Sequence, residues 1–215
     1  MKWKNSKYKN SIKTLIISVF ILSSIFAINI GKDTNVNATI NSIKSNMPQV
    51  VKFSTQVKAY NRVFFDGFYV DVERIQADVG VAYCLELDKD YPNGENFIIE
   101  GEPSELTKKL LAVGYPNKTV EELGLSNEDE AYLATQVAMW SILEGYNPNT
   151  IRAESEEVTK AIKMLVEKSI DADLEELMKD VKQYYYSEDI QRVALVLDRV
   201  PVIPPPPENE GGSVK

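Results

Sequence analysis

The stretch that organises this chain is Ser126-Asn127-Glu128-Asp129-Glu130-Ala131-Tyr132-Leu133-Ala134-Thr135-Gln136-Val137-Ala138-Met139-Trp140-Ser141-Ile142-Leu143-Glu144-Gly145. N-cap residues and first-turn acids open it, and Leu133, Gln136, Val137 and Trp140 share one face at spacings of three and four. Gly145 closes it, which predicts a helix from about Glu128 to Leu143. On the N-terminal side, Ser104 caps a second helix carrying Leu106, Leu110 and Leu111, stopped at Gly114 and Pro116. On the C-terminal side two further helices are expected, about Ser155–Lys168 and Asp173–Tyr185, with Val158, Ile162, Leu165 and then Leu174, Leu177, Val181 at helical spacing. Outside this helical middle the pattern changes to period two. Gln49 to Tyr60 and Val63 to Ile75 read as strands joined by a turn at Asn61-Arg62. Gln76 to Leu87 alternates cleanly, and Asn93-Gly94 signals a turn before a strand from Phe97 to Glu100. Arg192 to Val200 returns to strand. Strands, then helices, then a closing strand predict an α+β fold, a β-sandwich or barrel with an inserted helical subdomain.

The ends of the chain are of another kind. Lys2, Lys4, Lys7, Lys9 and Lys13 precede an apolar run from Thr14 to Ile30, and Val36-Asn37-Ala38 fits the small-x-small rule of signal peptidase. Residues 1–38 therefore read as a secretory signal peptide cleaved after Ala38, in preference to an anchor helix, for which the apolar core is short. Residues 39–203 form the domain. Residues 204–215, opening with Pro204-Pro205-Pro206-Pro207, read as a stiff proline-rich linker or tail leading to something else. The whole chain of 215 residues has 24 Lys+Arg, 32 Asp+Glu, one Cys and no His, for a net charge of −8. The signal carries six Lys and one Asp, so its removal leaves 18 basic and 31 acidic residues, net −13.

These counts exclude whole classes of chemistry. Without histidine there is no Ser-His-Asp or Cys-His catalytic site and no His-ligated metal, and one cysteine makes neither a disulfide framework nor a zinc site. No cofactor is expected. The acidic balance argues against nucleic acid and, once the signal is cleaved, against membrane association.

Two residues stand out. Cys84 is a lone thiol in an exported chain, where cysteines are usually paired or missing. It lies in the row Gly80, Ala82, Cys84, Glu86, whose small members permit close approach of another element. A small buried hydrophobe or an intermolecular disulfide would account for it as well. Gln136 sits on the apolar stripe of the helix, flanked by Tyr132 and Trp140, where a buried amide needs partners; ordinary core hydrogen bonds would satisfy it. Considered together, a thiol and an amide at a tight interface can condense. The sulfur attacks the carboxamide carbon, ammonia leaves, and an internal thioester is stored in the fold. Well-held groups reach effective molarities of about 10⁵–10⁸ M, so the reaction needs no histidine.

At these residues the chain resembles a family. Tyr83-Cys84-Leu85-Glu86 and Thr135-Gln136-Val137-Ala138-Met139-Trp140, with Leu110-Leu111-Ala112-Val113-Gly114-Tyr115-Pro116 between them, are similar to the paired signatures of Gram-positive surface thioester domains, over roughly residues 50–200. The resemblance implies a β-barrel or sandwich with a helical insertion bridged by a Cys84–Gln136 thioester. It implies an adhesin module, secreted or on the cell surface, that couples covalently and once to a lysine amine of a host protein, so not an enzyme. Gln136 would be the acyl donor and Cys84 the leaving group. Tyr83, Thr135 and Trp140 would shape or shield the bond, and Glu86 would either handle a proton or be solvated. Family members usually continue into stalk domains and a sorting motif. No Leu-Pro-x-Thr-Gly stretch follows the proline run here, so the expectations are a tip of a longer protein, a secreted protein, or another anchor.

The alternative is a non-covalent ligand-binding module with a free buried thiol. A carboxylate hydrolase is a third reading, but Glu121-Glu122, Glu128-Asp129-Glu130 and Glu156-Glu157 sit where solvated helix faces are expected.

Overall fold

The computed structural model describes residues 47–198 except position 66, with backbone alone described at 56–61 and 198. The signal peptide expected at 1–38 and the proline-rich tail expected at 204–215 lie outside the described residues. Six strands, β1 (Val50–Phe65), β2 (Phe68–Ala77), β3 (Val81–Cys84), β4 (Asn93–Gly101), β5 (Lys179–Tyr185) and β6 (Val193–Asp198), form a closed barrel in the order β1-β2-β3-β6-β5-β4. All six neighbour pairs are antiparallel. Helices α1 (Glu105–Val113), α2 (Glu128–Glu144) and α3 (Glu156–Ile170) are inserted between β4 and β5, which pair with each other. The fold is thus the expected barrel with a helical insertion.

Three expectations are corrected. The turn read at Asn61-Arg62 falls inside β1, and the hairpin turns between Phe65 and Phe68, which pair directly. Asp66-Gly67 is the stronger signal, because Gly67 takes φ 104°, a conformation that costs glycine no Cβ clash. Asn93-Gly94 is no turn either. Phe53 pairs with Glu95 and Ser54 with Asn93, so Gly94, at φ 100°, is the extra residue of a bulge within β4. The helix expected at Asp173–Tyr185 is only a single 3₁₀ turn, Leu174–Glu176, followed by strand β5. Leu174, Leu177 and Val181 suit a helix by spacing, but β4 and β6 both need a partner, and pairing on both edges overrides local propensity.

The remaining helices begin and end where the chain signals it. Ser104 Oγ accepts from Thr107 N–H at 3.1 Å, Asn127 Oδ1 from Glu130 N–H at 2.9 Å, and Ser155 Oγ from Val158 N–H at 3.2 Å. Glu130 reaches back to accept from Ser126 N–H at 3.0 Å, completing a capping pair. α1 and α3 are amphipathic, burying Leu110, Leu111 and Val158, Ile162, Leu165, whereas Leu106 is exposed. α2 is different: every residue from Ala131 to Ser141 is buried, as expected of a helix enclosed on all sides. It packs on α1 and α3 and turns its remaining face to the barrel.

The barrel interior is held in part by Phe53, Phe97 and Tyr184, from β1, β4 and β5. Phe53 meets the other two rings edge-on at 5.1 and 5.6 Å between centroids. On the opposite wall Val193, Ala194, Leu195 and Val196 of β6 are all buried, so both faces of that strand are covered. The acidic runs Glu121-Glu122 and Glu156-Glu157 are exposed, in keeping with solvated helix faces. Among the described residues no helix is long and apolar enough to cross a membrane.

Candidate functional site

The site lies at the seam between β2 and β3. The register places Ile75 opposite Ala82, and around this pair the strands are bridged by side chains. The Tyr132 hydroxyl accepts from Ile75 N–H at 3.1 Å and donates to Ala82 O at 3.0 Å, so it links the two strands. Further along, the Tyr91 hydroxyl accepts from Glu73 N–H at 3.3 Å and reaches Asp71 O at 3.4 Å. At the end of β3 the Gln136 side chain takes the role of a strand. Cys84 N–H donates to its Oε1 at 2.9 Å, and its Nε2 donates to Cys84 O at 2.8 Å.

This two-way pairing orients the amide without ambiguity. An N–H can face only an oxygen and a carbonyl only an N–H, so the carbonyl end lies toward Cys84 N and the NH₂ end toward Cys84 O. Cys84 and Gln136, 52 residues apart, are thus locked together, and both are fully buried. Tyr132, Gln136 and Trp140 recur every four residues along α2 and form one buried row over the seam. Of the small residues noted in the sequence, Ala82 and Cys84 receive the side chains of α2. Gly80 instead accommodates β6: a Cβ there would lie 2.3 Å from Val196 O.

The surrounding groups fix this arrangement. Tyr83 is buried, stacks on Tyr132 at 4.9 Å with 12° between planes, and donates through its hydroxyl to Tyr115 O at 2.7 Å. Thr135 Oγ1 donates to Ala131 O at 2.9 Å and accepts from Tyr115 N–H at 3.1 Å, tying the loop after α1 to α2. That loop can come so close because Gly114 has no side chain: a Cβ there would lie 2.9 Å from Thr135 Cγ2. Trp140 is buried one turn beyond Gln136, edge-on to Tyr91 at 6.4 Å, and its Nε1–H has no partner among the described residues. Glu86 holds the strand end. It accepts from Arg192 N–H at 2.8 Å and pairs with Arg192 Nη1 at 3.1 Å and Lys89 Nζ at 2.7 Å. Burial alone would raise its pKa, but Lys89 and Arg192 outweigh that and hold the carboxyl below its usual range.

The electrostatics favour a neutral, unreactive thiol. Burial pushes the Cys84 thiol well above its ordinary pKa, and the charges of Glu73 and Glu86 add to the effect. A thiolate is therefore a poor leaving group here, which keeps an acyl–sulfur bond at this position slow to break. Burial likewise raises Tyr132 and Tyr83, so both hydroxyls stay protonated. Among the described residues no cluster of three or more Cys, Asp or Glu side chains is arranged to hold a metal.

The structure brings together Tyr83, Cys84, Thr135, Gln136 and Trp140, with Glu86 at the margin. It adds Tyr132 and Tyr91. Tyr132 is legible as the flanking residue one turn before Gln136, but its hydroxyl's insertion between strands is not. Tyr91 carries no sequence signal at all.

Residues 81–171, which include both Cys84 and Gln136, match the family model described as the thioester domain. Solved structures resemble the chain at low identity. The Bacillus anthracis TIE protein matches at TM-score 0.60 and 17% identity, over 70% of this chain and 46% of that one. The thioester domain of the Enterococcus faecium TIE86 protein matches at TM-score 0.48 and 15% identity, over 72% and 79%. The N-terminal thioester domain of the fibronectin-binding protein SfbI from Streptococcus pyogenes matches at TM-score 0.47 and 17% identity, over 74% and 98%. The fold likeness rests on the first of these, and the chain spans about half of that protein's length. No curated protein matches by sequence. The matched residues span both Tyr83–Glu86 and Thr135–Trp140, and the fold is similar to that of the first of these structures.

Proposed function

We propose that this chain is a secreted or cell-surface adhesin module of a Gram-positive bacterium that stores an internal Cys84–Gln136 thioester and spends it once, on a lysine amine of a host protein. The observation that carries this reading is the pairing of the Gln136 amide with both backbone groups of Cys84, in a fully buried position. In bond formation Sγ attacks Cδ, the Cδ–Nε2 bond breaks, and the thiol proton leaves with nitrogen as ammonia. In coupling an amine nitrogen attacks Cδ, the Cδ–Sγ bond breaks, and the amine's proton passes to sulfur, leaving an isopeptide bond and a free thiol. The thiol is not regenerated as a thioester, so the module acts as a covalent binder and not as an enzyme. Tyr83, Thr135 and Trp140 build the dry surroundings that keep water from the acyl carbon. Glu86 serves the scaffold by tying the end of β3 to the start of β6.

The test is capture. Wild-type mature protein incubated with host extracellular protein should give an adduct that survives boiling in detergent, and Cys84→Ala should give none. Equal capture by both, lost on denaturation, would favour non-covalent binding through the same scaffold.

A further inference from the structure

The geometry points to the Tyr132 hydroxyl, together with the Cys84 backbone N–H, as the oxyanion site for both formation and aminolysis of the Cys84–Gln136 bond. This inference rests on the thioester reading above. Both reactions pass through a tetrahedral carbon at Cδ, with negative charge developing on Gln136 Oε1. Two donors stand at that oxygen: Cys84 N–H at 2.9 Å and Tyr132 Oη at 3.4 Å.

The tyrosine is placed to favour the transition state over the ground state. Its oxygen already accepts from Ile75 N–H, leaving one proton and two acceptors, Ala82 O at 3.0 Å and Gln136 Oε1 at 3.4 Å. With a planar, neutral acyl group the shorter contact to Ala82 O holds the proton. When charge develops on Oε1, a charge-assisted hydrogen bond of roughly twice the strength becomes available, and the proton turns toward it. An interaction that strengthens only as charge develops lowers the barrier without stabilising the resting bond. The ring does not have to move, because it is clasped between Tyr83, stacked at 4.9 Å, and the Arg74 guanidinium, 5.2 Å from its centroid. Arg74 is in turn anchored by Asp129 at 2.6 Å. Burial keeps the phenol protonated over the working pH range.

The atoms balance without another participant. In aminolysis the amine nitrogen bonds to Cδ, the carbonyl π pair moves to Oε1, and it returns as the Cδ–Sγ bond breaks. Sulfur takes the proton the amine gives up. Tyr132 lends a hydrogen bond and transfers no proton.

The experiment measures opening of the intact bond by methylamine at pH 7, followed by intact mass and free thiol, in wild type, Tyr132→Phe, and proteins with 3-fluorotyrosine or 3,5-difluorotyrosine placed at position 132. Loss of one oxyanion donor predicts opening about 100-fold slower in Tyr132→Phe. The fluorinated residues should open progressively faster as the phenol becomes more acidic, with urea midpoints unchanged across that series. A merely structural tyrosine would not link rate to phenol acidity. Should Tyr132→Phe fail to fold, the fluorotyrosine series decides alone. A flat series, or a Tyr132→Phe rate within about threefold of wild type, overturns the oxyanion role while leaving the thioester intact. A wild-type protein at full sequence mass overturns the thioester reading itself, and this inference with it.

Discussion

Replacing Gln136 by Leu and Cys84 by Ala would remove the same proposed covalent link, yet the two variants should differ in stability. In Cys84→Ala the amide of Gln136 persists, and both its bonds run to the backbone of residue 84, which alanine retains. In Gln136→Leu the N–H and C=O of Cys84 lose those partners in a site with no solvent access. Each buried polar group left unpaired costs about 1–3 kcal/mol, so the two together cost about 2–6 kcal/mol. Cys84→Ala forfeits burial of one sulfur, about 1 kcal/mol by analogy with a methylene. The net gap is about 1–5 kcal/mol in favour of Cys84→Ala. At about 2–4 °C per kcal/mol for a domain of this size, a central value of about 3 kcal/mol separates the melting temperatures by about 6–12 °C. Urea unfolding of both variants, followed by circular dichroism, reads the gap directly. Coincident midpoints, or a more stable Gln136→Leu, would show that the amide does not support the end of β3.

Other consequences follow from the same geometry. A Cys84–Gln136 thioester would close a loop of 52 residues, worth roughly 4 kcal/mol by the chain-entropy model, while the departing ammonia takes the Nε2 donor from Cys84 O at a cost of about 1–3 kcal/mol; wild type should still melt above Cys84→Ala, by about 1–3 kcal/mol, and equal melting temperatures would deny the staple. Glu86 has its folded pKa depressed, so its contribution is fully present above the unfolded value of about 4.5 and is lost as pH falls through the lower folded value; urea midpoints of wild type and Glu86→Gln should differ at pH 7 and draw together as pH falls below that folded value. Gly114→Ala drives a methyl group to 2.9 Å from Thr135 Cγ2 and 3.0 Å from Leu110 O, and should cost about 1–3 kcal/mol in thermal unfolding, while an unchanged melting temperature would mean the loop shifts freely. Opening of the bond by methylamine should quicken about tenfold per pH unit between pH 7 and 9, because only the free amine attacks; a flat profile measured by thiol release would contradict direct aminolysis.

The helical half of the molecule was legible because its punctuation is local. Ser104, Asn127 and Ser155 cap their helices with their own side chains, and Gly114 and Gly145 end two of them. The strands were less so. Asn61-Arg62 interrupts the apolar alternation yet lies within β1, and Asn93-Gly94 supplies a positive-φ residue that serves a bulge as readily as a turn. Residues 179–185 have a three-residue burial rhythm, with Val181 and Tyr184 inward, so periodicity favoured a helix, and only barrel closure between β4 and β6 explains the strand. At the site, Cys84 and Gln136 stand out as types out of place: a lone thiol in a chain whose N-terminus reads as an export signal, and an amide on an apolar stripe. Their partners were hidden because they depend on tertiary position. Nothing around Tyr91 announces that its hydroxyl will cap β2, and Arg192 meets Glu86 across 106 residues.

The central claim is tested most directly by the intact mass of freshly purified mature protein, before and after methylamine. The mass should fall short of the sequence by one ammonia in wild type and be full in Cys84→Ala and Gln136→Ala, and methylamine should leave one bound amine with one titratable thiol in wild type alone. Full sequence mass in fresh wild-type protein, with Cys84 already titratable under denaturing conditions, would contradict it.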